Sequence, residues 1–185
     1  APDQWGSFCR LSAVVFGRSI MYLGLNTFIV LYFMNHFHES QNFSNLLLSV
    51  YYGIGALFTL IGGKLGDKHG YRTFVRFGFL LAFPAALILA WTDSSILGIL
   101  CLIVLGAALN LTYSPMVVLG QQYLPNRVGL ASGITLGLAV SVGGITAPLL
   151  GKVGDMYGLE TTFYVIALIT LIPLISSFTL PKPKK

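Results

Sequence analysis

Apolar residues run along this chain in six long stretches separated by short polar ones. The stretches fall at Leu11–Phe33, Phe43–Ile61, Phe74–Trp91, Ile96–Leu119, Val128–Leu150 and Thr162–Leu180. Each approaches the roughly 20 helical residues needed to cross a hydrocarbon core about 30 Å thick. A helix satisfies its own backbone groups in lipid, whereas an open sheet leaves them unpaired, so the pattern predicts six membrane-spanning helices. The first stretch has the length of a full span and no small-residue cleavage site after it, which argues against a secretory signal.

Composition strengthens this reading. The chain is 55% hydrophobic and 9% charged, against about 25% charged in soluble domains, and its mean hydropathy is +0.80. A soluble fold with a water-facing surface is excluded. The net charge of +5 could indicate nucleic acid, but its distribution points to the bilayer. With six alternating helices, Arg10, Lys64, Lys68, Arg72, Arg76, Arg127, Lys182, Lys184 and Lys185 fall on one side and only Lys152 on the other. Basic residues accumulate on the cytoplasmic side, so both termini are expected there.

Little in the sequence resembles an active site. Cys9 and Cys101 form neither a disulfide framework nor a metal spacing. His36, His38 and Glu39 share one short polar connection without further ligands, which reads as a solvated loop and not a metal site. Neither a nucleophile–base pair nor a phosphate loop is present. We therefore expect no enzyme activity, no metal and no cofactor.

An internal repeat adds topology. Gly63-Lys-Leu-Gly-Asp-Lys-His-Gly70 returns 88 residues later as Gly151-Lys-Val-Gly-Asp-Met-Tyr-Gly158. Three spans separate the copies, so they lie on opposite sides of the membrane. This predicts an inverted three-plus-three arrangement, residues 1–92 and 93–185, of the kind found in alternating-access transporters. The plainer alternative is that each copy is only a tight inter-helix turn.

The first copy, extended through Tyr71 and Arg72, resembles the loop signature of major facilitator proteins. The stretches Leu124–Gly133 and Gly143–Gly151 resemble the eleventh helix of fosmidomycin-resistance type exporters within that superfamily. The resemblance implies an all-α integral membrane fold, the C-terminal half of a major facilitator protein with helices seven to twelve. It also implies a plasma-membrane location, the inner membrane of a bacterium, and a small-molecule substrate. The partner would be the missing N-terminal six-helix half or a second copy of this chain.

Candidate functional residues lie on four spans. Arg18 stands about 12 Å along its helix from Arg10 and so approaches the bilayer centre, where an Arg costs on the order of 2.5–3.5 kcal/mol on insertion scales. Tyr22 and Asn26 follow at four-residue steps, making one polar stripe. The stripe reads as cavity lining for an anionic or strongly polar group. The alternative is that Arg18 snorkels to the surface or pairs with another half. Asn110, Tyr113 and Ser114 precede Pro115 at an expected kink and form a second candidate wall. Tyr51 and Tyr52 add aromatic polar groups to the second span, Tyr52 being the candidate, with an interfacial anchor as the alternative. The third and sixth spans, with Phe77, Phe79, Phe83, Ile166, Leu168 and Ile172, read as lipid-facing.

Two further groups are candidates for packing and gating. Gly129, Gly133, Gly137 and Ser141 recur at four-residue intervals and continue to Gly144 and Pro148, which predicts a closely packed seam, moving or static. Asp67, beside Gly63, is placed to accept from free amides at the start of the third helix; the family resemblance implies that it gates with Arg72. No carboxylate falls within a span, so a proton-coupling acid is expected outside this half. The function implied is secondary transport, proton-coupled export of a small drug-like or anionic molecule. Uptake of a sugar or organic acid, or a non-transporting scaffold, are the alternatives.

Overall fold

A computed structural model describes residues 2–183. Its helices are α1 (Trp5–Asn35), α2 (Gln41–His69), α3 (Tyr71–Trp91), α4 (Ser95–Leu111), α5 (Tyr113–Tyr123), α6 (Val128–Tyr157), α7 (Leu159–Ile169) and α8 (Leu171–Phe178). α4 with α5, and α7 with α8, are each one divided span. Among the described residues, six helical segments are long and apolar enough to cross a membrane.

Both divided spans break three residues before a proline, at Thr112 ahead of Pro115 and at Thr170 ahead of Pro173. Proline carries no N–H, so the carbonyls four residues back, of Leu111 and Ile169, lose their helical donors. Pro84 and Pro148 sit inside helices that continue past them.

Hydrogen bonds fix which ends meet. At one end the Gln4 amide donates to the Tyr123 carbonyl at 2.7 Å, and Arg127 pairs with Asp3 at 3.4 Å. At the other end Ser95 donates to Glu39 at 2.6 Å, and His36 reaches Glu160. The termini therefore share an end, and the basic residues Arg10, Arg72, Arg76 and Arg127 gather with them. Lys184 and Lys185 lie outside the described residues.

The repeated Gly-Lys-x-Gly-Asp segments are not loops. They form the last turns of α2 and α6, because helices extend beyond the apolar runs that the hydropathy pattern marks. The chain turns at one residue in each copy. Gly70 and Gly158 adopt φ values of 95° and 98° and donate to the carbonyls four residues back; an L side chain is disfavoured there. The two copies, at opposite ends, thus turn in the same way. Packing is exchanged accordingly, with α1 chiefly against α6 and α4 against α2 and α3.

Two expectations change here. The third and sixth spans are not simply lipid-facing: Phe79, Phe163 and Ile166 are buried where these spans pack on each other and on the bundle, while Phe77, Leu168 and Ile172 point outward. A helix in a bundle must have an inner face, and a uniformly apolar sequence hides which face that is. α2 and α6 are the least buried spans instead. Second, Gly129, Gly133, Gly137 and Gly144 have open space where a side chain would stand, and Pro148 is exposed. The seam is not packed within this chain. The glycine of α6 packed tightly on α1 is Gly143, where an added Cβ would lie 2.6 Å from the Ser19 carbonyl oxygen.

Arginines hold the end of α8. The last carbonyls of any helix lack intrahelical donors. Here Arg76 donates to Ser177 at 2.9 Å and to Leu180 at 2.9 Å, Arg72 to Leu180 at 3.2 Å, and Arg10 to Thr179 at 3.0 Å. Arg76→Ala removes the largest share and is expected to destabilise the protein by about 2 kcal/mol, read as a lowered unfolding temperature in detergent. An unchanged temperature overturns this assignment.

Candidate functional site

Arg18 does not snorkel. Its residue is 3% exposed, and its Nε donates across the bundle to the Leu109 carbonyl at 2.9 Å. That carbonyl is available because the helix breaks at Thr112, whose hydroxyl also donates to it at 2.8 Å. The guanidinium lies between two aromatic rings, its Cζ 4.8 Å from the Tyr22 centroid and 5.0 Å from the Tyr113 centroid. Both rings offer a negative face to the cation. No carboxylate pairs with Arg18 among the described residues.

Around this cation lies a cavity of about 300 Å³ lined by Arg18, Tyr22, Thr59, Asn110, Tyr113, Ala139 and Val140. Its walls come from α1, α2, α4, α5 and α6, and none from α3, α7 or α8. The sequence stripe of Arg18 and Tyr22 is therefore brought together with Asn110 and Tyr113. Asn110 donates to the Gly106 carbonyl at 2.8 Å and accepts from Thr59 at 3.4 Å. Ser114 lies behind this wall, its hydroxyl donating to the Thr59 carbonyl at 3.4 Å.

Two buried polar atoms lack partners among the described residues: Asn26 Oδ1 and the Tyr51 hydroxyl. Such atoms cost free energy unless a ligand or water satisfies them. Tyr51 is 1% exposed and packs 6.4 Å from Tyr22, centroid to centroid, whereas Tyr52 is 47% exposed. Neither lines the cavity, and Tyr51 joins Tyr52 as a candidate on the second span. Thr59 was also missed. Tyr51, Gly55 and Thr59 are spaced by four, the same step that exposed the stripe on α1.

Ser19, next to Arg18, positions the α6 wall. Its hydroxyl donates to the Ala139 carbonyl at 2.9 Å and accepts from the Gly143 amide at 2.9 Å. These are the two groups of one helical turn, so a side chain of α1 is inserted into the α6 ladder beside the cavity residues Ala139 and Val140.

The gating residues are arranged differently from expectation. Asp67 sits in α2 and accepts from the Tyr71 hydroxyl, while Arg72 turns to the end of α8. Asp67 and Arg72 therefore form no pair, because four residues along the chain place Tyr71 nearer. Gly63 makes only ordinary contact, since an added Cβ would stand 3.5 Å from Ser114 Cβ; its neighbour Gly62 is the tight one. No group of three or more His, Cys, Asp and Glu that could hold a metal occurs among the described residues.

The sequence profile of the Major Facilitator Superfamily matches residues 11–185. The chain is 32% identical to the uncharacterized MFS-type transporter YfnC of Bacillus subtilis (strain 168), over 87% of its own length and 39% of the relative. It is 30% identical to the fosmidomycin resistance protein of Escherichia coli (strain K12), over 91% of its own length and 41% of the relative. The chain thus spans about two fifths of the relatives it matches. Among solved structures, the peptide transporter POT in complex with sulfate superposes with a TM-score of 0.86 at 18% identity, over 94% of this chain and 37% of that one.

Proposed function

The chain belongs to the Major Facilitator Superfamily, a family of transporters and not of enzymes, and from that premise we propose that it carries the anion-binding wall of a secondary transporter. Its fold is one six-helix half of the family's fold, in a multi-pass membrane protein. The reading is that this half works by rocking against an N-terminal half or a second copy, exporting a small anionic or drug-like molecule in exchange for protons. Both α6 and α2 contribute to the cavity, and the open glycines of α6 suit that contact, since bare glycines allow close helix approach. The basic end with the termini is placed in the cytoplasm and the membrane is read as a bacterial inner membrane.

One observation carries this proposal. A buried guanidinium spends only its Nε on the protein, and its two terminal nitrogens make no hydrogen bond among the described residues. They border the cavity, and the partnerless Tyr51 hydroxyl belongs to a ring packed against the lining residue Tyr22. Guanidinium presents a planar fork that matches a carboxylate or phosphate in two parallel bonds. A purely structural bundle has no use for an uncompensated cation at this depth.

The test is counterflow in proteoliposomes with the intact protein. Small carboxylates, phosphates and phosphonates are offered beside neutral and cationic isosteres, with and without a proton gradient. Selective exchange of anions supports the proposal. Exchange of neutral or cationic compounds alone, or no flux for any compound, overturns it.

A further inference from the structure

At the end of the bundle remote from the termini, His36 is held in a way that a neutral imidazole beside an ionised carboxylate cannot satisfy. Its Nδ1 stands 2.7 Å from Glu160 Oε1, and its Nε2 stands 2.8 Å from the Thr92 carbonyl oxygen and 3.5 Å from Asp93 Oδ1. Both ring nitrogens therefore face acceptors. Neutral imidazole has one N–H and one lone pair, so one of the two contacts would set a lone pair against an oxygen. One additional proton removes the conflict, either as imidazolium donating to both sides or as a Glu160 carboxyl donating to Nδ1. The two forms differ only in where that proton rests.

The surroundings suit a proton that comes and goes. The His36 side chain is 8% exposed, but Glu160 and Asp93 are 61% and 97% exposed, so water reaches the pair. A cavity of about 300 Å³ lined by Asn35, His36, Tyr157, Leu159 and Glu160 opens beside it. The groups facing the imidazole are Tyr32 from α1, Asp93 from the α3–α4 connection, and Glu160 from α7. Tyr157 of α6 and Tyr164 of α7 stand nearby. Glu39 is engaged by Ser95. Among the described residues no Lys or Arg pairs with Glu160 or Asp93, so the imidazole is their only cationic partner.

We propose that His36 and Glu160 form a proton-binding site that latches three helix ends together while the proton is bound. Holding it joins the end of α1 to the α3–α4 connection and to the start of α7. The ring stack beneath transmits the position of His36 inward. Tyr32 lies 4.8 Å from the His36 ring and 3.9 Å from the Phe163 ring, both near-parallel, and donates to the Leu89 carbonyl at 2.7 Å. Loss of the proton to water leaves imidazole and carboxylate, removes the one donor between Nδ1 and Oε1, and frees the α7 corner. The site is independent of the Arg18 cavity and of the transported compound.

Two labels report the latch in the intact protein in nanodiscs. With Cys9 replaced by Ser, the exposed positions Ile96 and Met156 are changed to Cys and spin-labelled, and their separation is followed as a function of pH. The wild-type distance is expected to lengthen as pH rises, in step with loss of the shared Nδ1–Oε1 proton, read as a change of the His36 Nδ1 signal in nitrogen NMR. His36→Gln, which keeps an amide donor but cannot titrate, loses the pH-dependent step. Glu160→Gln keeps a titrating imidazole whose proton loss no longer moves the labels. A distance that is constant with pH in the wild type, or that changes equally in His36→Gln, overturns the proposal.

Discussion

Replacing Arg18 with glutamine is expected to reduce affinity for a transported anion by roughly 100-fold or more. Two charge-assisted bonds from the terminal nitrogens are lost, each worth roughly 1.5 kcal/mol or more, and about 3 kcal/mol corresponds to two decades of affinity. Glutamine preserves an amide donor for the Leu109 carbonyl, which the wild-type Nε engages at 2.9 Å, so the break at Thr112 keeps a partner and the bundle should remain folded. Arg18→Lys separates charge from shape. It keeps a cation between Tyr22 and Tyr113 but cannot bond through Nε and the terminal fork at once, so intermediate affinity is expected. Isothermal titration with the most strongly exchanged anion, together with the unfolding temperature of each variant, decides the matter. Equal affinity in the wild type and a folded Arg18→Gln variant would remove Arg18 from the site.

How much of this site could be read beforehand depends on the range of the interactions. The six spans were readable because apolar run length is a local property, and the sharing of ends followed from counting crossings. Arg18 and Tyr22 were readable because a polar stripe at four-residue steps is rare in a span. Tyr51 was not distinguished from Tyr52, since adjacent helical residues point about 100° apart and apolar neighbours on all sides conceal which direction is inward. The same applies to Gly62 and Gly63, and to the glycine stripe of α6, whose spacing indicates a close approach but not to what. His36 looked solvated because its partners, Thr92, Asp93 and Glu160, lie 56 or more residues away. Asp67 is the opposite case, since its partner in the structure is local, the Tyr71 hydroxyl one turn on, while Arg72 reaches the distant Leu180 carbonyl.

The other large effect is expected at Gly62, where Ala should prevent α2 from docking on the broken span. A Cβ at Gly62 would lie 2.3 Å from the Leu111 carbonyl oxygen and 3.0 Å from Leu111 Cα. These are backbone atoms, which cannot rotate away as a side-chain tip can. On the far side of the break, Gly78 of α3 is as tightly approached: a Cβ there would stand 2.2 Å from Thr112 Cγ2 and 3.0 Å from the Ala108 carbonyl oxygen. Residues 108–112 are thus gripped between two glycines, and the grip holds Asn110 and the Leu109 carbonyl where Thr59 and Arg18 meet them. Overpacking of this kind costs roughly 1–3 kcal/mol where neighbours can shift, and the upper part of that range is expected here. The Leu111 carbonyl projects because Pro115 cannot donate to it. Pro115→Ala restores that donor and lets the carbonyl draw back toward the helix axis, so the double variant Gly62→Ala/Pro115→Ala should recover part of the stability lost in Gly62→Ala alone. Unfolding temperatures of the wild type, both single variants and the double variant close the cycle. Strict additivity would show that the proline and the glycine act independently, and a single Gly62→Ala variant as stable as the wild type would show that the contact is not tight.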